Sequence, residues 1–123
     1  MSANDNSKLL FEKIQLLINH SGSIIFSIGE YYVQFAKDKN TEEIYFEAVS
    51  HNFLDILPTN LIEEFQNLGF RIMNGENYSK TVLVSSWPLI ITDVEQIFLN
   101  IYKINYDKDF TLLVSLRLST SRS

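Results

Sequence analysis

The chain has 123 residues, 46% apolar and 20% charged, with nine Phe and six Tyr; that suffices for one hydrophobic core and not for two ordinary domains, so a single domain over 1–123 with its core in about 7–118 is expected. Ten basic against fifteen acidic residues give a net charge of −5, and the only basic pairs, Lys37/Lys39 and Arg117/Arg122, are too sparse for nucleic acid, which needs a concentrated positive surface. The absence of Cys excludes disulfides and thiolate metal sites, and no apolar run approaches the ~18–20 residues that cross a bilayer.

The opening Met1-Ser2-Ala3-Asn4-Asp5-Asn6 has neither the basic nor the apolar region of a secretory signal. No membrane association and a cytoplasmic location are therefore expected. Leu10, Ile14, Leu17 and Ile18 then recur at helical spacing and predict a first helix over 6–19. His20-Ser21-Gly22 ends it, and a cationic His20 suits a helix C-terminus.

Three strands follow, over 23–28, 31–37 and 43–49, with Gly29-Glu30 as the first turn. If the last two form a hairpin with Lys39-Asn40 as a two-residue loop, Phe35 faces Ile44, Val33 faces Phe46 and Tyr31 faces Ala48. On the opposite side Gln34 meets Tyr45 and Tyr32 meets Glu47. Cross-strand partners share a sheet face, so one face is apolar and the other polar and aromatic. A four-residue loop about the same centre gives the same pairing.

The segment 50–57 is a connection anchored by Phe53, Leu54, Ile56 and Leu57. Asn60 and Glu63 then have the spacing of a capping box. Leu61, Phe65 and Leu68 form the buried stripe of a short helix, and Gly69 sits where a left-handed C-terminal cap belongs. A short apolar piece over 70–73, a turn at Asn74-Gly75 and a strand over 81–85 follow.

Thr92-Asp93-Val94-Glu95 reads as a second capping box. Behind it Val94, Ile97, Phe98, Ile101 and Tyr102 make the buried stripe of a helix, with Asp93 and Glu95 at its positive end. After a turn over 105–108, Phe110, Leu112, Val114, Leu116 and Leu118 alternate with Thr111, Leu113, Ser115 and Arg117, giving a last strand covered on one face. Residues 119–123 are expected to fray. The order is α-β-β-β-α-β-(β)-α-β, so the expected class is α+β: an antiparallel sheet with helices packed against it.

Catalytic constellations are not legible. A Ser nucleophile needs a base, and the only His residues are His20 and His51. Both read as surface or capping residues, the alternative for His51, beside Asn52 and Asp55, being a base or a metal ligand. Two His with no Glu at ligand spacing do not make a zinc site. Glu42/Glu43 and Glu63/Glu64 are sequence neighbours that point in different directions. Gly22, Gly29, Gly69 and Gly75 are too scattered for a phosphate-cradling loop. No cofactor and no metal are expected.

Other residues suit binding. Glu43, Tyr45 and Glu47 share the polar sheet face with Tyr32 and Gln34, and exposed Tyr gives much contact area for little ordering. Trp87, the only Trp, sits before Pro88 between a strand and a helix, as core plug or interface anchor. These six residues are the candidate partner-binding set, and the acidic balance favours a basic protein as partner.

The order Tyr31-Tyr32-Val33-Gln34-Phe35-Ala36, then Tyr45-Phe46-Glu47-Ala48-Val49-Ser50-His51-Asn52-Phe53-Leu54, then Leu68-Gly69-Phe70 and Asn77-Tyr78 ahead of a strand resembles a superfamily. It is that of type III secretion chaperone-like domains, in particular the tuberculosis Ysc-chaperone-like or YbjN-like bacterial branches. The likeness spans roughly 8–118, and its motifs are short and mostly structural. It implies a helix–sheet domain that binds other proteins, often as a homodimer, and no catalytic residues. Secretion chaperones hold extended segments of secreted clients, whereas related small folds look like immunity proteins that neutralise toxins. This chain departs from the chaperones in its final strand, placed to occupy or alter their dimer surface. The leading expectation is a bacterial immunity protein binding a cognate toxin, then a secretion-chaperone-like client holder, and last a small hydrolase using His51.

Overall fold

The structure, a computed structural model, describes residues 3–50, 61–72, 75–103 and 113–118. Helix α1 (Ala3–His20) leads into the strands β1 (Gly22–Ile28), β2 (Tyr31–Lys37) and β3 (Glu43–Ala48). After helix α2 (Leu61–Asn67) come β4 (Tyr78–Leu83), one 3-10 turn (Val84–Ser86), helix α3 (Pro88–Gln96), a π-helical turn (Ile97–Ile101) and β5 (Leu113–Leu118). The class is α+β, and the element order follows the alternation of sequence periods.

The five strands form one sheet in the order β4-β3-β2-β1-β5, with every neighbouring pair antiparallel. α3 therefore carries the chain from one edge of the sheet to the other. β5 pairs along β1, so β1 has a strand on both sides and offers no free edge.

One sheet face carries the core. Ile24, Phe26, Ile28, Val33, Phe35, Ile44, Phe46 and Ala48 are all buried, at every second position of their strands, as a half-covered sheet requires. Leu10, Ile14 and Leu17 from α1, Leu61 and Phe65 from α2, and Ile90, Val94, Ile97 and Phe98 from α3 and its extension complete it. Each large apolar side chain so buried contributes roughly 1.5–3 kcal/mol of transfer free energy. Phe35, Phe46, Phe70, Phe65 and Tyr78 form a chain of ring contacts with centroids 4.3–5.2 Å apart.

Local signals explain where several elements stop. Ser21 ends α1 in the left-handed region at φ 63, with its N–H donating to Leu17 O at 2.7 Å. Gly69 has φ 90 and donates to Gln66 O at 2.9 Å, while Phe70 N donates to Phe65 O at 3.0 Å. This is the double hydrogen bond of a Schellman cap, and the Phe65–Phe70 contact is its hydrophobic partner.

Three sequence expectations are corrected. The β2–β3 register pairs Phe35 with Phe46, Val33 with Ala48, Gln34 with Glu47 and Ala36 with Tyr45, two residues away from the pairing read above. The connection is longer than a two-residue loop: Thr41 Oγ1 bonds Asp38 O at 3.3 Å and Glu43 O at 3.1 Å across it. A shift of two preserves side-chain parity, so both faces keep their residues.

The third helix starts at Pro88, one turn before the Thr92 box, because proline is favoured in the first turn, where its missing N–H costs nothing. Asp93 thus lies inside the helix and pairs with Lys80 at 2.7 Å instead of serving the dipole. The strand read at 81–85 begins at Tyr78 and gives way to the 3-10 turn at Val84. Arg71 forms an isolated bridge to Ser79. The Asn60 cap, the anchors at 53–57, His51, Asn74, the turn at 105–108 and the tail at 119–123 lie outside the described residues.

Candidate functional site

The second face of the sheet presents Ser23, Ile25 and Ser27 from β1, Tyr32, Gln34 and Ala36 from β2, Glu43, Tyr45 and Glu47 from β3, and Ser79, Thr81 and Leu83 from β4. Their common face follows from the register. None of them is buried, and three large apolar side chains stand in the open: Ile25 at 37%, Tyr45 at 39% and Leu83 at 57% exposure. The buried stripes of all three helices belong to the core on the other face.

A hydrogen-bond chain organises the centre of this face. The Tyr45 hydroxyl donates to Glu47 Oε1 at 2.8 Å. The Asn77 side-chain amide donates to Glu47 Oε2 at 2.9 Å and to the Tyr32 hydroxyl at 2.9 Å. Asn77 Oδ1 in turn accepts the Ser50 backbone N–H at 2.9 Å, which fixes the orientation of the amide. Both carboxylate oxygens of Glu47 are thus engaged, and Tyr32, Tyr45 and Glu47 are held in one arrangement. Burial, then the bond to Glu47, raises the Tyr45 phenol above its ordinary range, so it remains a donor at neutral pH.

Tyr45 stands between two shallow depressions of about 240 Å³ each. Glu47, Glu76 and Asn77 line one, and Ala36, Lys37, Asp38, Thr41, Glu43 and Thr81 line the other with Tyr45. The ring is a raised apolar feature with carboxylates on both sides. Such a surface suits a protein partner, which needs an aromatic anchor and a polar surround.

Five of the six candidate residues share this face: Tyr32, Gln34, Glu43, Tyr45 and Glu47. Gln34 lies opposite Glu47 in the register, and Glu43 is exposed at the start of β3, opposite Leu83. Trp87 is elsewhere, at the N-terminus of α3, where its ring packs on Phe11 of α1 with centroids 4.8 Å apart. It is half-buried against the core, so the structure separates it from the sheet-face group. Asn77, the organiser of that group, was legible only as a residue leading into a strand, because its role depends on the pairing of β3 with β4. Leu83 joins the face through the same pairing, and Ile25 through the pairing of β1 with β2.

Among the described residues no group of three His, Asp or Glu is placed to hold a metal ion, and no described helix is long and apolar enough to cross a membrane. His20 is exposed at the end of α1. No protein-family model matches the chain, and no curated protein or solved structure matches it either.

Proposed function

We propose that the chain is a non-enzymatic binding domain that neutralises a cognate bacterial toxin, in the manner of an immunity protein, through the open face of its sheet. The observation that carries the reading is the hydrogen-bonded Tyr32–Asn77–Glu47–Tyr45 group on a face that the helices leave uncovered. Side chains already held in place lose little freedom on binding, so more of the contact energy appears as affinity. Exposed Tyr supplies the anchor, and Glu43, Glu47 and the net charge of −5 favour a basic partner.

The resemblance to secretion-chaperone-like domains remains part of the proposal and supplies the second reading, a holder of an extended client segment. β5 pairs along β1 and closes that edge, so a client strand would have to add at β4 or at β5.

The test is an affinity capture with the purified chain, followed by titration of the recovered protein against the wild type and a Glu43→Lys/Glu47→Lys variant. A stoichiometric complex with a folded basic protein, weakened by the variant while the circular dichroism is unchanged, is the expected result. Recovery of a secreted client through an extended segment would select the chaperone reading instead. Unchanged affinity in the variant would remove this face as the interface.

A further inference from the structure

The beginning of β1 brings together two basic residues that are eighty positions apart in the chain. Gly22 pairs with Lys37 of β2 on one side and with Leu118 of β5 on the other, while Ser23 pairs with Arg117. A depression of about 350 Å³ lies there, lined by Gly22, Ser23, Lys37, Asp38, Arg117 and Leu118. By strand alternation Lys37 belongs to the core side of the sheet and Arg117 to the open side. Gly22, with φ 127 and no side chain, lies between them at the end of the sheet, and both residues line the same space.

Lys80–Asp93 is the ion pair formed among the described residues, and neither Lys37 nor Arg117 has a carboxylate partner there. The Lys37 ammonium donates to Asp38 O at 3.0 Å, one of the three donations available to it. A planar guanidinium, an ammonium and the Ser23 hydroxyl match the acceptors of a tetrahedral oxyanion. In a chain of net charge −5, this is a local reversal of sign.

Asp38 lines the same depression, and its carboxylate repels an anion that has no proton to offer. Hydrogenphosphate carries a hydroxyl that donates to such a carboxylate. Sulfate and the dianion of a phosphate ester carry none. We infer that the end of the sheet at Gly22 is a binding site for inorganic phosphate, held by Lys37, Arg117 and Ser23 and selected by Asp38. The inference does not rest on the toxin-binding reading, although Lys37 and Asp38 also border the depression beside Tyr45.

The experiment is a two-dimensional amide NMR titration of the whole chain at neutral pH and constant ionic strength, with inorganic phosphate, sulfate and methyl phosphate as probes. Phosphate is expected to give saturable shifts confined to the amides of Gly22, Ser23, Lys37, Asp38, Arg117 and Leu118. Because the site is exposed, the affinity expected is millimolar. Lys37→Gln/Arg117→Gln removes two charge-assisted contacts and should weaken phosphate about tenfold or more. Asp38→Asn should raise sulfate to the level of phosphate. Phosphate shifts that fail to saturate, or that persist unchanged in the double variant, overturn the site. Sulfate or methyl phosphate binding the wild type as tightly as phosphate overturns the selection by Asp38, and with it the inference as stated. Asp38 and Arg117 are exposed and Lys37 is half-buried at the strand end, and unperturbed spectra elsewhere serve as the control on folding.

Discussion

The side-chain amide of Asn77 donates to the Glu47 carboxylate at 2.9 Å, joining two residues thirty positions apart. Asn77 also binds Tyr32 and the Ser50 backbone N–H, so a single amide fastens the segment leading into β4 to the ends of β2 and β3. The order of the candidate binding face and the anchoring of the segment before β4 share this residue.

Asn77→Asp keeps the acceptor for Ser50 but sets a second carboxylate against Glu47. The variant is expected to lose about 1–3 kcal/mol at neutral pH, the cost of losing the amide donor with like charges in its place. Part of the loss should return at acid pH, where one of the two carboxyls holds a proton. Thermal unfolding across pH checks this. Equal destabilisation at neutral and acid pH would show that the charge on residue 77 is not the cause.

Lys80 lies on the core side of the edge strand β4, with its ammonium 2.7 Å from Asp93 Oδ2 and 2.7 Å from Leu68 O. The ammonium also stands over the Phe70 ring at 4.9 Å and the Phe46 ring at 5.6 Å. With side chains 15% and 21% exposed, the pair is mostly withdrawn from water. Removing one partner leaves the other charge uncompensated. Asp93→Ala alone should therefore cost more than Lys80→Met/Asp93→Ala together, by about 1 kcal/mol or more after allowance for the residual exposure. Denaturant unfolding of the four proteins of the cycle measures the difference, and strict additivity would count against the coupling.

Tyr102 is buried, with its hydroxyl donating to Val49 O at 2.7 Å. Burial, and then the neighbouring Tyr78, Tyr32 and Tyr31, hold its phenol well above the ordinary value of 10.0. Tyr45 is raised as well, by burial and then by its bond to Glu47. A group whose folded value is raised contributes its full share below the unfolded value and loses it as pH rises. Stability should thus be indifferent to these two phenols up to about pH 10 and fall above it. Tyr102→Phe should cost about 1 kcal/mol at neutral pH through the lost hydrogen bond, and flatten the alkaline fall. Phenolate absorbance followed together with unfolding reads both effects.

Tyr45 and Trp87 should behave in opposite ways. Tyr45→Ala removes the exposed anchor of the sheet face and should weaken the captured partner about tenfold or more, with a small effect on stability. Trp87→Ala removes a half-buried ring packed on Phe11 and should lower the unfolding midpoint while leaving affinity within about twofold. Calorimetric titration beside thermal unfolding separates the two. An affinity loss at Trp87 as large as at Tyr45 would move the interface to the helix layer.

What the sequence determined by itself was local. The period of 3.6 in Leu10, Ile14 and Leu17 and the period of 2 in 31–37 and 43–48 set the elements and the side of each that is buried, because they follow from backbone geometry alone. Gly69 marked its cap for the same kind of reason, a left-handed φ that glycine adopts without strain. The parity of the sheet faces was legible, and five of the six candidate residues share the open face, since a register shift of two cannot change sides.

Features that join residues distant along the chain came from the packing of the whole molecule. The β2–β3 register rested on a loop conformation set by Thr41, and the start of α3 on Pro88 at the end of the preceding 3-10 turn. The joining of Asn77 to Glu47, of Lys80 to Asp93 and of Lys37 with Arg117 around Gly22 arises from strand order and from helices crossing the sheet. No local period encodes those pairings, because each is selected by the packing of the whole core rather than by the residues beside it.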